Sequence, residues 1–222
     1  MAPLTGSTCG AYGSATTIIG TPAQTGLAAG CYRYTLTGTD NADNTVAIST
    51  TVKLGVYITG MSLNNVAGTA GRIDQGDQIV ITFSDQIAVN SMCSTWTGNS
   101  TDQTINGDNQ DTVTLNNING NNKVDTLDVS SSLCALNFGS MSLGSNAYTT
   151  STVTFGGAGA NKSTIAWSAS GQRLTITLGQ VSGTGPATVA TSIVTYTPST
   201  AVLNVSAVPT GGTRVTTNAG QF

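Results

Sequence analysis

Aspartate is the only acidic residue type in this chain, and its carboxylates are the first groups to consider for catalysis. The sequence of 222 residues contains no Glu and no His. General acid–base catalysis near neutral pH usually uses His, or a carboxyl group whose pKa is raised by burial. Asp74 and Asp77 are close enough in sequence for a glycosidase-like pair, but they lie in a Gly-Asp turn that any β-protein builds from these residues. We therefore predict that the chain is not an enzyme.

The same carboxylates are hard oxygen ligands of the kind that calcium prefers. The segment 119–128 carries Lys123 and lacks the Glu that ends an EF-hand loop, so it does not match that motif. Turns that flank β-strands explain these residues equally well. We expect no cofactor and keep a structural calcium ion as the alternative. All candidate calcium ligands lie in predicted loops. They are Asp74, Asp77, Asp125 and the group Asp102, Asp108 and Asp111.

Four cysteines occur in two well-separated pairs, Cys9 with Cys31 and Cys93 with Cys134. They lack the close spacing of a zinc site, and no His is present to complete one. Sequential pairing would close two loops that contribute roughly 3 and 4 kcal/mol in the chain-entropy model. Disulfides persist in oxidising compartments, so we predict an extracellular or cell-surface protein. Four buried free thiols are the alternative.

Exposed aromatic side chains in one plane would indicate a carbohydrate-binding surface. The candidates are Trp96, Tyr57 and Tyr148. Trp96 follows Cys93 by three residues, and packing against a disulfide is the simpler interpretation. Trp167 shares a strand face with Ile165 and is predicted to lie in the core. A glycan or cell-surface ligand remains a possible partner.

Composition excludes several classes of function. Charged residues make up 8% of the chain, the net charge is −3, and the seven basic residues are scattered singly. No basic stripe is available for phosphate backbones, so we do not expect nucleic-acid binding. No apolar run approaches the roughly 20 residues of a membrane span, so we do not expect membrane insertion. Met1 is followed directly by polar sequence, without the apolar segment of a leader peptide. We expect this if a leader has been removed, if the sequence is an excerpt of a longer chain, or if the protein is a virion component.

Hydrophobic residues alternate with polar ones in short runs, which predicts an all-β fold. In the segment 78–84, Ile79, Ile81 and Phe83 alternate with polar residues after a Gly-Asp turn. The segment 31–54 predicts a hairpin whose turn is 40–44. Further strands are predicted, the last of them at 202–208, at the spacing of eight to twelve residues that is typical of a β-sandwich.

These two segments carry a resemblance to bacterial Ig-like domains. GCYRYTLTGTDNADNTVAISTTVKL resembles the last two strands of such a domain, and GDQIVITFS resembles the central strand of the Ig-like modules of surface-layer and adhesin proteins. The resemblance implies a β-sandwich of Ig-like modules. Residues 1–54 would be the C-terminal half of one module, and residues 55–222 would be a second module.

A half sandwich leaves strand edges and one apolar face uncovered. Packing against residues 55–222 or strand addition from a neighbouring copy would cover them. We therefore expect a non-catalytic structural protein whose partners are copies of itself, as the subunit of a filament, pilus-like fibre or surface layer, or as a spacer in an adhesin. The alternatives are a carbohydrate- or surface-binding module and a virion decoration protein.

Overall fold

The computed structural model describes residues 1–5, 8–20, 22–25, 27–118, 123–190, 192–215 and 222. These residues form antiparallel β-sheets with one short α-helix and one 3-10 turn. The all-β prediction is confirmed. The physical reason is local, because β-branched and aromatic residues alternate with polar ones and Gly, Asn and Asp occupy the connections.

The strands from the N-terminus to residue 54 form two separate two-stranded sheets. These strands are β1 (Leu4–Thr5), β2 (Thr8–Cys9), β3 (Gly30–Thr39) and β4 (Thr45–Leu54). β1 pairs with β2, and β3 pairs with β4 in an unbroken register from Gly30↔Leu54 to Thr39↔Thr45. The predicted hairpin is therefore present with the predicted turn.

The remaining strands form two larger sheets. They are β5 (Ile58–Asn64), β6 (Gln78–Phe83), β7 (Gln103–Ile105), β8 (Asp111–Asn116), β9 (Thr126–Ser131), β10 (Gly139–Ser142), β11 (Val153–Gly156), β12 (Thr164–Ser168), β13 (Arg173–Thr177), β14 (Gln180–Ser182), β15 (Thr195–Pro198) and β16 (Arg214–Val215), with α1 (Val89–Met92) after β6 and a 3-10 turn at Gly159–Asn161. One sheet has the order β5-β6-β13-β12-β7, and the other has the order β14-β11-β8-β9-β10-β15-β16.

One hydrophobic cluster takes inward-facing residues from both larger sheets. Ile79, Ile81 and Phe83 of β6 are at most 1% exposed, as their alternation predicts. The Phe83 ring meets the buried Trp167 ring edge to face at 5.6 Å between centroids. The opposite sheet contributes Val113 and Leu115, among other residues. Burial of apolar residues between two sheets is the arrangement of a β-sandwich. The Ig-like assignment and the division at residues 54 and 55 stay predictions.

Both predicted disulfides are present. Cys9 of β2 is bonded to Cys31 of β3 with 5.8 Å between their Cα atoms. Cys93 directly follows α1 and is bonded to Cys134 with a Cα separation of 5.5 Å. No described cysteine is free. Two disulfides indicate an oxidising environment. Among the helices of the described residues, none is long and apolar enough to cross a membrane.

The sequence-based prediction is wrong in the C-terminal part. The segment 202–208 was predicted to be a strand, but it forms a tight reversal in which the Asn204 side-chain oxygen accepts the N–H groups of Ser206 and Val208. Ala207 has φ 59° in this reversal. In the same part of the chain, β16 pairs with β15, and Phe222 is buried in the core.

Candidate interaction surface

The turn at the tip of the β3–β4 hairpin is organised by Asp40. One oxygen of its carboxylate accepts the backbone N–H groups of Ala42 at 2.8 Å and Asn44 at 2.9 Å. The other oxygen accepts the side-chain amide of Asn44 at 2.9 Å. These hydrogen bonds, with that from the Asn44 side chain the strongest influence, lower the pKa of Asp40 below its ordinary value. The turn therefore sets the register of the two strands that it joins.

The register places the even-numbered residues of both strands on one side of the hairpin. Tyr32 is paired with Val52, Leu36 with Ile48, and Gly38 with Val46. We call this side the apolar face. Its apolar members are Tyr32, Tyr34, Leu36, Val46, Ile48 and Val52.

The four aliphatic members of the apolar face are not covered by the rest of the described chain, whereas Tyr32 at its root is half-buried. Leu36 is 76% exposed, Ile48 is 68% exposed, Val46 is 65% exposed and Val52 is 46% exposed. A solvated face of an antiparallel sheet normally carries polar side chains. The hairpin therefore exposes apolar side chains on a face where a solvated sheet normally carries polar ones.

The odd-numbered residues form the opposite side, which we call the hydroxyl face. Side-chain hydroxyl groups pair across it, with 2.8 Å between Thr35 and Ser49 and 3.2 Å between Thr39 and Thr45. The only charged residues of the two strands, Arg33 and Lys53, also lie on this face. No charged side chain therefore lies on the apolar face.

The N-terminal segment covers the lower part of the hydroxyl face. The Arg33 guanidinium lies 4.5 Å from the centre of the Tyr12 ring, and the Tyr12 hydroxyl donates to Thr51 Oγ1 at 3.4 Å. Ala2 forms a bridge to Cys31, with N–H···O distances of 2.8 and 2.9 Å. The Cys9–Cys31 disulfide joins the N-terminal segment to β3 at the same place. The covering segment thus leaves the apolar face open.

The root of the hairpin is attached tightly to the body of the protein. Gly55 has φ +94°, and a Cβ atom there would lie 2.8 Å from the Cβ of Ala29. The next residue, Val56, is fully buried, and its carbonyl accepts the N–H of Gly211 at 2.9 Å. Lys53 Nζ lies 5.5 Å from the centre of the Tyr57 ring. The hairpin therefore projects from a fixed base.

The outer edges of the hairpin present backbone groups for pairing. The N–H and C=O of Cys31 point away from β4, since they bond to Ala2. The N–H and C=O groups of every second residue point to the same side of a strand. Those of Thr35 on β3, and of Ala47, Ser49 and Thr51 on β4, therefore also point away from the paired strand. Within the described ranges, these edge groups have no strand partner other than Ala2 at the base of β3.

The candidate calcium ligands near residue 74 are occupied by the turn itself. The Asp77 carboxylate is fully buried and accepts the N–H groups of Val66 at 3.1 Å and Asp74 at 2.8 Å. Burial is the largest influence and raises the pKa of Asp77. The Asp74 carboxylate accepts the N–H of Thr69 at 2.8 Å and pairs with Arg72 Nε at 2.7 Å. Both carboxylates therefore act as hydrogen-bond acceptors that organise this loop.

Asp125 plays the same part in another loop. Its carboxylate is fully buried and accepts the N–H groups of Tyr148 at 3.1 Å and Thr149 at 3.2 Å. Residues 119–122 of the predicted segment 119–128 lie outside the described residues.

The other three candidate calcium ligands each accept a different backbone N–H group. Asp102 accepts from Ala169, Asp108 accepts from Gly159, and Asp111 accepts from Gly107. In the part of the chain that the structure describes, no three carboxylate or cysteine side chains converge to hold a metal ion.

The three candidate aromatic residues do not form one exposed surface. Trp96 is 3% exposed and Tyr148 is 1% exposed, and both belong to the main core. The Tyr148 hydroxyl is hydrogen-bonded to Ser192 at 2.8 Å. Tyr57 is half-buried beneath Lys53 at the root of the hairpin. The Trp167 prediction is confirmed, since this residue is buried beside Ile165.

Sequence reasoning found the hairpin and expected a half sandwich to leave one apolar face uncovered, but it left open whether residues 55–222 would pack on that face. The alternation of Leu36 and Ile48 with polar residues has the same period as that of the buried strand β6, so the pattern itself carries no signal of exposure. The absence of charge on one face of the paired strands is the signal that was available.

Comparisons with known proteins add no family to this description: no protein-family model, no curated protein and no solved structure matches the chain.

Proposed function

We propose that this chain is a non-catalytic structural protein of the cell exterior, a building unit of a filament, pilus-like fibre or surface layer, or a spacer module of an adhesin. Neighbouring units are joined by β-strand pairing. The observation that carries the proposal is the β3–β4 hairpin, which projects from a fixed base with an uncovered apolar face and unpaired edges.

Two properties of the hairpin support assembly. Contiguous exposed apolar surface in a soluble protein marks an interaction site, and the four most exposed members of the apolar face lie on adjacent paired strands. Burying their remaining exposed area on two partners is worth on the order of 10 kcal/mol. This is comparable with the roughly 4–15 kcal/mol that association costs in lost freedom. Edge hydrogen bonds add to this attraction.

Other features support a location outside the cell. Both disulfides favour an oxidising compartment, and an 8% content of charged residues leaves a surface of hydroxyl and amide groups. The resemblance to bacterial Ig-like domains agrees with this location. The aspartate carboxylates are engaged with backbone N–H groups in separate loops, as expected for a protein with a structural role.

The assembly state of the intact chain tests the proposal. Light scattering on a sizing column, together with negative-stain microscopy at micromolar concentration, is expected to show dimers or larger assemblies in place of a 22.3 kDa monomer. The double variant Leu36→Thr/Ile48→Thr keeps β-forming residues while removing apolar area, and it is expected to weaken assembly.

A matched control changes the opposite side of the same ribbon. Thr37 and Thr39 belong to β3 and lie on the hydroxyl face. Thr37→Ser/Thr39→Ser should therefore assemble as the natural sequence does. A natural chain that stays monomeric throughout this concentration range would overturn the proposal.

A further inference from the structure

We propose that the outer edge of β4 pairs with the β4 edge of a second copy of this chain, antiparallel and about a two-fold axis. This inference rests on the proposed function and names the strand and the partner through which units are joined.

The outer edge of β4 lacks the features that usually protect an exposed edge. Natural edge strands are usually blocked by proline, by a bulge or by charged residues along the edge. The register of β4 with β3 is continuous over the ten residues of each strand, without a bulge. β4 contains no proline, and its only charged residue is Lys53 near the root. The stretch from Thr45 to Thr51 is therefore an unprotected template for pairing.

The outer edges of β3 and β4 differ in how far the N-terminal segment obstructs them. Ala2 already bonds to the outer edge of β3 at Cys31, so a strand added there would meet the N-terminal segment. The next outward-directed residue of β3 is Arg33, whose guanidinium lies over the Tyr12 ring. On β4, the outward positions Ala47, Ser49 and Thr51 are small and uncharged, and among the described contacts only the Thr51 side chain meets the N-terminal segment, at the Tyr12 hydroxyl. The β4 edge is the less obstructed of the two.

The β4 edge is complementary to a second copy of itself. A strand paired antiparallel with its own copy forms an isologous contact. In a register centred on Ser49, the outward residue Ala47 faces Thr51 of the second copy, and each such pair exchanges two N–H···O bonds.

The same register joins the apolar faces of the two copies. Val46 comes opposite Val52 of the second copy, and Ile48 comes opposite Thr50. Lys53 comes opposite Thr45, so no like charges meet across the axis. The result is a four-stranded sheet with one continuous apolar face and one continuous hydroxyl face. A second copy therefore fits this edge in charge as well as in hydrogen bonding.

Paired proline variants test the edge without relying on new cross-links. The N–H of Ser49 points outwards, so Ser49→Pro removes a donor from the β4 edge and leaves the bonds between β3 and β4 in place. Thr35 lies directly opposite Ser49, and Thr35→Pro is the matched change on the β3 edge. Light scattering of the full chain is expected to show a mass near twice 22.3 kDa, or multiples of it, for the natural sequence and for Thr35→Pro. Ser49→Pro is expected to lose this pairing while keeping its circular dichroism spectrum.

Cysteine variants then test the register. Equivalent residues of a hydrogen-bonded antiparallel pair have Cα atoms about 5.5 Å apart, which is within the range that a disulfide spans. Under mild oxidation, Ser49→Cys is expected to form a covalent dimer that reductant separates, whereas Thr35→Cys stays uncoupled.

The outcomes separate this inference from the proposed function. If the natural chain assembles and Ser49→Pro assembles equally well, the β4 edge is the wrong interface while the structural role stands. Loss of assembly in Thr35→Pro alone, or cross-linking of Thr35→Cys in place of Ser49→Cys, also overturns the β4 assignment. A natural chain that remains monomeric overturns both proposals.

Discussion

Leu36 and Ile48 are directly paired across the β3–β4 hairpin, and yet both remain more than two-thirds exposed, at 76% and 68%. Paired apolar residues on adjacent strands normally stabilise a sheet by packing under a second layer. Here the second layer is absent from the described residues of the same chain. The pair lies on the apolar face whose exposure supports the proposal that the protein assembles with its own copies.

The first prediction compares this pair with the core. Ile81 is fully buried in β6, and Ile81→Ala is expected to lower the free energy of unfolding by about 2–5 kcal/mol. Leu36→Ala removes a side chain that is mostly in solvent, so its effect under monomeric conditions should stay within about 0.5 kcal/mol. Urea denaturation at low concentration measures both values. A large loss for Leu36→Ala would show that the apolar face is covered within the chain.

The second prediction concerns the disulfides. The Cys9–Cys31 bond closes a separation of 22 residues, and the Cys93–Cys134 bond closes a separation of 41 residues. In the chain-entropy model these bonds stabilise the protein by about 3 and 4 kcal/mol. Thermal unfolding should therefore shift to lower temperature with reductant.

A double substitution that removes one disulfide shows which part of the shift in unfolding temperature that bond causes. Cys9→Ser/Cys31→Ser is expected to loosen the contact between the N-terminal segment and β3 while the main core, which lies beyond residue 55, still unfolds cooperatively. Equal melting temperatures with and without reductant would contradict the prediction.

The third prediction concerns pH and the turn at the tip of the hairpin. Hydrogen bonds from Asn44 and Ala42 lower the pKa of Asp40 in the folded hairpin. A carboxylate with a lowered folded pKa stabilises the turn above its ordinary pKa of about 3.9, and this contribution is lost as the pH falls through the lower folded value.

Amide hydrogen exchange measures this effect. Protection of residues 38–46, corrected for the intrinsic exchange rate, should fall on acidification below about pH 4. Asp40→Asn keeps one acceptor oxygen but cannot titrate in this range, so its protection should vary less with pH. Identical acid profiles for the two proteins would argue against the assigned role of Asp40.

The fourth prediction concerns Asp77. Asp77→Ala leaves the buried N–H groups of Val66 and Asp74 without their acceptor, and each unsatisfied group costs about 1–3 kcal/mol. The loop before β6 should consequently exchange faster and the protein should unfold at lower denaturant concentration. Asp85 is exposed and accepts only the neighbouring N–H of Gln86 among its described contacts, so Asp85→Ala is the control. Comparable losses for both variants would refute the role given to Asp77.

The comparison of β6 with the β3–β4 hairpin shows why some features could be predicted and others could not. Ile79, Ile81 and Phe83 alternate with polar residues in the same way as Tyr32, Tyr34 and Leu36 do, and both segments are strands. Alternation reports which side of a strand is apolar, since it arises from the local geometry of the backbone. It does not report whether another sheet lies above that side. The pattern therefore predicted both strands but left open which of the two apolar sides is covered.

For the aspartates, too, some properties were predictable from the sequence and others depend on the tertiary structure. Their position in loops was predictable because Asp and Gly favour turns. Whether Asp74, Asp77 and Asp125 bind a metal or accept backbone N–H groups depends on segments distant in sequence, such as the strand β5 region that brings Val66 to Asp77. The reversal at 202–208 was missed because the Asn204 side chain competes with a sheet partner for local N–H groups.

By itself, the sequence determined the strand β6, the β3–β4 hairpin with its turn at 40–44 and the chemistry of the hairpin's two faces, because each depends on neighbouring residues. The pairing of Cys9 with Cys31 and of Cys93 with Cys134 was expected from the order of the cysteines, and the fold confirms it by bringing their Cα atoms within disulfide reach. Only the tertiary structure decided that Trp96 and Tyr148 lie in the core and that Leu36 and Ile48 lie in solvent. Burial is decided by which sheets stack on one another, and that contact joins residues far apart in the chain.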